Sequence, residues 1–301
     1  MPELPDVTVY VEALRARLVD HRLLRSFVKG PFLLRSASPP LSATQDRTVS
    51  EVRRLGKQIA IGLDGGLWLV LHLKIAGRLH WKTTAKTGAV KPGGRNQLAV
   101  FEFDNGSLTL TEAGTTRRAA LHVAEGEAGL EALSAGGIEP LEVSRDAFAA
   151  ALRSDNHTLK RALTDPHLLS GIGNAYSDEI LHRAQLSPVA MTQKLTADEI
   201  ATLYEATRAT LLEWTERLRA EANGAFPENV TAFRPEMAVH GKYGQPCPHC
   251  GNKIQRIRYA SNETNYCPNC QTSGKLLADR ALSRLLRVDW PASIEELEAL
   301  K

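Results

Sequence analysis

Cys247-Pro248-His249-Cys250 and Cys267-Pro268-Asn269-Cys270 are the two stretches on which the reading of this chain turns. They are Cys-x2-Cys knuckles sixteen residues apart, and they contain all 4 cysteines of the sequence. Close pairs at this separation have the spacing of a four-thiolate zinc site. Each knuckle supplies two sulfurs to one tetrahedral ion, and the segment between folds back as a hairpin. With sulfur in every position no place is left for water, so the expected zinc is structural rather than catalytic. A disulfide framework fits less well, because Met1-Pro2-Glu3-Leu4-Pro5-Asp6 has neither a basic region nor an apolar stretch. That opening predicts no secretory signal and a cytoplasmic protein, nucleoid-associated in a bacterium. His249 is read as an exposed loop residue. The hairpin carries Lys253, Arg256 and Arg258 among Tyr259, Asn262, Asn265 and Tyr266, with Lys242 and Tyr243 before it. It reads as a set of donors for phosphate or, alternatively, as a solvated hairpin.

Outward from the finger, the 301 residues suggest about two domains. A composition with 43% hydrophobic and 24% charged residues excludes a disordered chain and a fibre. Leu67–Leu73, the longest strongly apolar run, is far short of the roughly 20 residues that span a bilayer, so no membrane partner is expected. The net charge of +3 says little about nucleic acid; the placement of the cations says more. Val7, Val11, Leu14 and Leu18 have helical spacing, with Asp6 placed as an N-cap. From Leu23 to Val123 the pattern is β, with strands at 49–52, 58–63, 67–73, 79–81, 98–103 and 107–111. Asp64-Gly65-Gly66 and Asp104-Asn105-Gly106 read as hairpin turns, and 83–96 as a mobile loop. Residues 124–140 read as a bridge to a helical second half. There, helices are expected near 145–153 and 158–163, and a longer one starts at a Thr196/Glu199 capping box. Its apolar stripe is Ile200, Leu203, Thr207, Leu211, Trp214 and Leu218. Residues 276–286 and 294–300 read as a helical tail.

Two further features bear on chemistry. Gly171-Ile172-Gly173-Asn174 opens a helix, and a turn of this kind presents backbone N–H groups to an anion, with Asn174 as cap and donor. A plain helix-to-helix turn is the competing reading. At the amino terminus, removal of Met1 leaves the secondary amine of Pro2, whose basicity is below that of lysine. Such an amine can attack a sugar anomeric carbon and form an iminium ion, with Glu3 beside it to move the proton. Many chains open Met-Pro with no such consequence.

Taken together, Pro2-Glu3-Leu4-Pro5, Lys57, His72-Leu73-Lys74-Ile75-Ala76-Gly77-Arg78, Gly171–Glu179 and the finger ending at Gln271 resemble the formamidopyrimidine-DNA glycosylase/endonuclease VIII (Fpg/Nei) family. The resemblance runs in order from Pro2 to Gln271. It implies an α+β protein: an amino-terminal β-sandwich with flanking helices (1–135), a helix-two-turns-helix domain (142–236), a zinc-finger hairpin (237–273) and a helical tail (274–301). Damaged double-stranded DNA would lie in the cleft between the halves of a monomer. Pro2 would be the nucleophile, Glu3 the general acid/base, and Lys57 a holder of phosphate or of the extruded nucleotide. Gly171, Gly173 and Asn174 would grip backbone phosphate. Arg117 and Ile75 would fill the gap left by the flipped base. One zinc on Cys247, Cys250, Cys267 and Cys270 would be the sole cofactor. Strand scission would follow base release by β- and δ-elimination.

The sequence departs from the family pattern at Asp6, usually glutamate, and at Ile75, usually methionine. Ala119 stands where an aromatic wedge is usual. Asn262 stands where the finger arginine binds phosphate, a role for which Arg256 and Arg258 are the substitutes at hand. These departures support an alternative, a damaged-DNA-binding protein without catalysis or poor in lyase activity. The cysteine spacing alone would also suit a zinc-ribbon RNA-binding or assembly protein. His72 reads as a hydrogen-bonded core histidine, Trp68 and Trp214 as core, and Arg53 and Arg54 as surface charge. Lys74 is read as facing DNA or solvated on a strand.

Overall fold

Helix α1 spans Leu4–Leu18 and buries the expected stripe Val7, Val11, Leu14 and Leu18 together with Tyr10. Its start differs from the expectation: Glu3 is the N-cap, and Asp6 lies one turn in. The Glu3 N–H donates to Asp6 Oδ2 at 2.9 Å, and the Glu3 side chain accepts from the Asp6 N–H, a reciprocal capping box. Pro5 is tolerated in this first turn because an N–H there has no intrahelical partner. The aspartate that departs from the family pattern therefore fixes the residue next to Pro2.

This is a computed structural model; the residues it describes are 1–30, 32–83, 93–113, 116–228, 230, 231, 233–259, 262–278, 291, 294 and 296. They sort into two units, Met1–Gly136 with Glu213–Ala232, and Gly137–Leu212 with Phe233–Lys301. Most of the expected loop at 83–96 and of the expected tail falls outside the described residues.

The first unit contains eight antiparallel strands: β1 (Arg22–Val28), β2 (Arg47–Leu55), β3 (Gln58–Leu63), β4 (Leu67–His72), β5 (Gly77–Thr83), β6 (Gln97–Phe103), β7 (Gly106–Glu112) and β8 (Ala120–Glu125). Their order is β5-β7-β6-β1-β2-β3-β4-β8. β1 and β2 meet only at Arg22–Thr48 and Leu23–Arg47, so the sheet turns at that seam. Its two halves then enclose one core, with Ile61, Leu69, Leu71 and Leu121 from one and Leu79, Phe101, Leu108 and Leu110 from the other. This is the expected β-sandwich, with α1 against β2 and β3. Both hairpin turns form where the sequence placed them; Gly65 and Gly66 have φ of 74° and 77°, a region open to glycine at no steric cost. Residues 124–140 are less of a bridge than expected. Helix α2 (Gly126–Glu131) packs Leu130 onto Ala60, Trp68 and Val70.

In the second unit, α3 (Arg145–Ser154) is capped by Ser144 and α4 (Leu159–Thr164) by Thr158. Helix α5 (Asn174–Arg183) follows the glycine turn, and α6 (Ala197–Ala222) starts at the expected capping box, with Thr196 N–H on Glu199 Oε2 at 2.8 Å. The whole predicted stripe of α6 is buried. The end of α6 belongs to the first unit, where Arg219 Nε donates to Glu12 Oε2 at 2.9 Å and Phe226 lies 5.8 Å from the Tyr10 ring. The segment expected as 142–236 is thus shared between the units. The finger is the hairpin β9 (Gln255–Tyr259) and β10 (Asn262–Tyr266) followed by α7 (Pro268–Thr272).

Between β4 and β5 the chain makes a tight turn with Ile75 at its apex, 59% exposed. Gly77 closes it, N–H to Leu73 O at 2.9 Å, and a Cβ on Gly77 would lie 2.2 Å from that same oxygen. Gly77→Ala is therefore expected to lower stability by about 1–3 kcal/mol, as overpacking against backbone does, in denaturant unfolding of the two proteins.

Candidate active site and metal centre

The first unit gathers the amino terminus, Glu3, Lys57, His72, Lys74 and Arg78. Pro2 and Glu3 are buried at the foot of α1, and Met1 is half-buried. Burial holds the terminal amine below its usual pKa; Arg78 and Lys57 push the same way, and Glu3 and Asp6 oppose them. Lys57, from the turn after β2, is also lowered, first by burial and further by Lys74, against the pull of Glu3. Arg54 steadies that turn by donating to Gly56 O at 3.0 Å.

His72, at the end of β4, is not the hydrogen-bonded histidine expected: its Nε2 is buried without a hydrogen-bond partner. Burial, then Lys74, Lys57 and His122, lower its pKa to about 4, so the ring is neutral near pH 7. Lys74 sits in the turn after β4, not on a strand, with φ of 53° and a pKa lowered by burial and by Arg35. A crowd of cations with depressed pKa values is poised to receive an anion, which would restore their charged forms.

The segment carrying Arg117 is fixed by the buried carboxylate of Glu112, which accepts the Arg118 N–H at 2.9 Å and the Ala119 N–H at 3.1 Å. Arg117 itself is exposed and donates to Arg95 O at 2.6 Å, while Ala119 is buried and projects nothing. Neither Glu112 nor Arg78 was singled out from the sequence as a site residue.

In the second unit, Gly171 adopts φ of 81° and Gly173, not Asn174, caps α5. Asn174 is the first helical residue, and its Nδ2 donates to Glu263 O on β10 at 2.7 Å. Behind it lies a buried network that sequence reasoning missed. Lys160 Nζ reaches Asn174 O (2.7 Å), Ser177 Oγ (2.8 Å) and Asp178 Oδ1 (2.5 Å). Asp178 Oδ2 receives His240 Nδ1 (2.8 Å) and the Asn265 N–H (3.1 Å). Glu179 accepts the N–H groups of Ala238, Val239 and His240, although burial still raises its pKa. An acidic pair inside a helix was visible in the sequence; its partners were not. On the finger, Arg256 Nη1 and Arg258 Nε both donate to Glu263 Oε2 at 3.2 Å. Asn262 pairs with Tyr259 through the β9–β10 ladder, and its side chain lies outside the described residues.

The four cysteines are not joined as disulfides, and their sulfurs all lie within 4.8 Å of one another, with Cys247–Cys270 at 3.9 Å and Cys250–Cys267 at 3.4 Å. Tetrahedral zinc with Zn–S bonds of about 2.3 Å brings thiolates to separations of this order. The set fits one structural zinc ion, the expected cofactor. His249 is exposed and outside the ligand set, its Nδ1 3.5 Å from Cys270 Sγ. A second histidine, unforeseen, stands closer: His182 of α5 is buried with Nε2 3.2 Å from Cys247 Sγ. An N–H donated to a metal-bound thiolate fixes its orientation and ties the finger to α5.

Two outcomes follow from these histidines. His72→Gln is expected to flatten the pH dependence of stability between about pH 6.5, the value for an unfolded histidine, and the folded value of about 4. The sign is set by the unfolded chain, which takes the proton first, so the contribution is complete above that window and is lost as pH falls through it. Denaturant titrations of both proteins across the window measure it. His182→Phe, which fills the space without a donor, is expected to speed zinc loss to a chromogenic chelator about tenfold, with His182→Gln intermediate.

With this geometry in place, comparison with known proteins is direct. Residues 1–118 match the formamidopyrimidine-DNA glycosylase N-terminal domain, 137–221 its H2TH domain, and 244–272 a zinc finger found in FPG and IleRS. The chain is 32% identical over 280 residues to the formamidopyrimidine-DNA glycosylase of Pelotomaculum thermopropionicum, covering 90% of this chain and 99% of that one. It is 32% identical to the Thermus thermophilus enzyme of the same name, over 91% and 100% of the two chains. A formamidopyrimidine-DNA glycosylase-like protein of Mycobacterium tuberculosis is 39% identical over 151 residues, half of this chain and 94% of its own length. The fold is shared with Lactococcus lactis Fpg in complex with DNA containing an oxidised pyrimidine, at a TM-score of 0.78 and 24% identity, over 90% of this chain and 100% of that one. It is shared equally with the same protein bound to DNA containing an abasic site, at 0.77 and 22%, over 90% and 99%. Relatives above 30% identity over 90% and 91% of this chain, on a matching fold and finger, establish that it belongs to the formamidopyrimidine-DNA glycosylase family.

Proposed function

We propose that the protein is a bifunctional glycosylase and abasic-site lyase acting on damaged duplex DNA. The observation that carries this reading is the buried Pro2–Glu3 pair beside Lys57 and the unpartnered His72. Once Met1 is removed, the Pro2 amine takes up the surroundings of the Met1 amine, where burial foremost, with Arg78 and Lys57, disfavours the protonated form. Its lone pair forms an N–C1′ bond while the C1′–base bond breaks and the base leaves with a proton. Glu3 protonates O4′ as the sugar opens, giving an iminium ion. The iminium acidifies C2′; loss of that proton expels the 3′ phosphate, and a second elimination expels the 5′ phosphate. Lys57 steadies phosphate or the extruded nucleotide, a contact that offsets part of the few kcal/mol that flipping costs. Ile75 and Arg117 enter the vacated stack. Gly171, Gly173, Asn174, Arg256 and Arg258 serve the backbone in the helical and finger segments. A DNA partner of this kind fits a cytoplasmic, nucleoid-associated protein working as a single copy.

The damaged duplexes held by the Lactococcus lactis protein support this substrate class. Borohydride trapping on abasic and oxidised-base duplexes tests the reaction. A covalent adduct is expected with the mature chain and none with Pro2→Gly, whose DNA affinity should stay within about twofold because the amine is not a phosphate contact. DNA binding by the mature chain without any adduct would leave a lesion-binding protein instead.

A further inference from the structure

We infer that the Glu263 carboxylate is an internal stand-in for a DNA phosphate, which the phosphodiester must displace in order to reach Arg256 and Arg258. The inference rests on the DNA-binding reading above. In the finger hairpin Glu263 lies directly opposite Arg258, and Arg256 lies two residues away on the same face. One oxygen, Oε2, accepts from both guanidinium groups at 3.2 Å. The main-chain oxygen of the same residue accepts from Asn174 at 2.7 Å, so Glu263 holds three of the groups assigned to phosphate.

The arrangement is reversible on physical grounds. Arg256 lies over the Tyr243 ring at 4.1 Å, which keeps its guanidinium in place whether or not the carboxylate is there. Glu263 and Arg258 have side chains 29% and 62% exposed, so the carboxylate can rotate into water without leaving a buried charge behind. A phosphodiester brings the same single negative charge and two free oxygens, enough for both arginines. The exchange releases fewer counterions than binding to bare arginines, because these cations are already neutralised. Glu263 thereby weakens binding to DNA in general and lowers its salt sensitivity, in a finger where Asn262 stands in place of the family's arginine.

The test is fluorescence anisotropy of the full-length, zinc-loaded protein with a duplex containing a tetrahydrofuran abasic analogue, from about 50 to 200 mM salt. Glu263→Gln, which keeps the size and removes the charge, is expected to bind about three- to tenfold more tightly at the low end. Its log–log salt slope should be steeper by about 0.9, the increment for one phosphate. Glu263→Asp, charged but too short to reach both arginines, should fall between the two. Equal or weaker binding by the Gln variant, with an unchanged slope, would make Glu263 a strut of the hairpin and overturn the inference alone. Absence of binding by wild type and variants alike would overturn the DNA reading and this inference with it.

Discussion

Asp178 is a carboxylate shut away from the surface, and the second unit is arranged around that fact. Its side chain is fully buried, so its charge is solvated only by protein. The partners come from α4 (Lys160), from the segment before the finger (His240) and from β10 (Asn265). A buried charge short of its partners costs several kcal/mol, so these elements are satisfied together or not at all. Lys160 also reaches Asn174 O, which places the end of α5 in the same network. The position of the proposed phosphate donor is thus set by a carboxylate one turn away. Glu179, the next residue, does the same for the segment 238–240.

The first unit crowds basic side chains together beside the buried Glu3 and Asp6. Burial lowers the proton affinity of Lys57, His72, Lys74 and the amino terminus, and neighbouring cations add to it: Lys74 on Lys57 and His72, Arg35 on Lys74, and Arg78 and Lys57 on the terminus. The β-sandwich makes this possible because Lys57 is on the turn before β3, His72 ends β4, and Gln58 pairs with His72 across those strands.

The finger joins both themes. The metal pins two knuckles, His182 ties one thiolate to α5, and the hairpin in between carries arginines already paired with a carboxylate. Position, rather than the small net charge, decides which carboxylate these arginines meet.

Local patterns were legible in the sequence because their causes are local. The cysteine spacing depends on the reach of two short knuckles, the α6 stripe on the 3.6-residue period, and the Asp64 and Asp104 turns on glycine and asparagine flanked by alternating apolar residues. Those elements form where they were expected. The first turn of α1 was misread by three residues, because Asp6 and Glu3 are both able caps and only their mutual hydrogen bonds choose between them. His72 looked like core because a β run predicts burial but not a missing partner. The partners of Asp178, and Lys160, His182 and Glu263 themselves, had no signal: each acts on a residue 17 or more positions away or across a hairpin, and such pairings exist only once the chain is packed. The sequence by itself determined the elements and the metal ligands, which follow from short-range sterics and spacing. Which carboxylate holds which cation was decided by the tertiary structure alone, since charge pairing depends on distance in space and not along the chain.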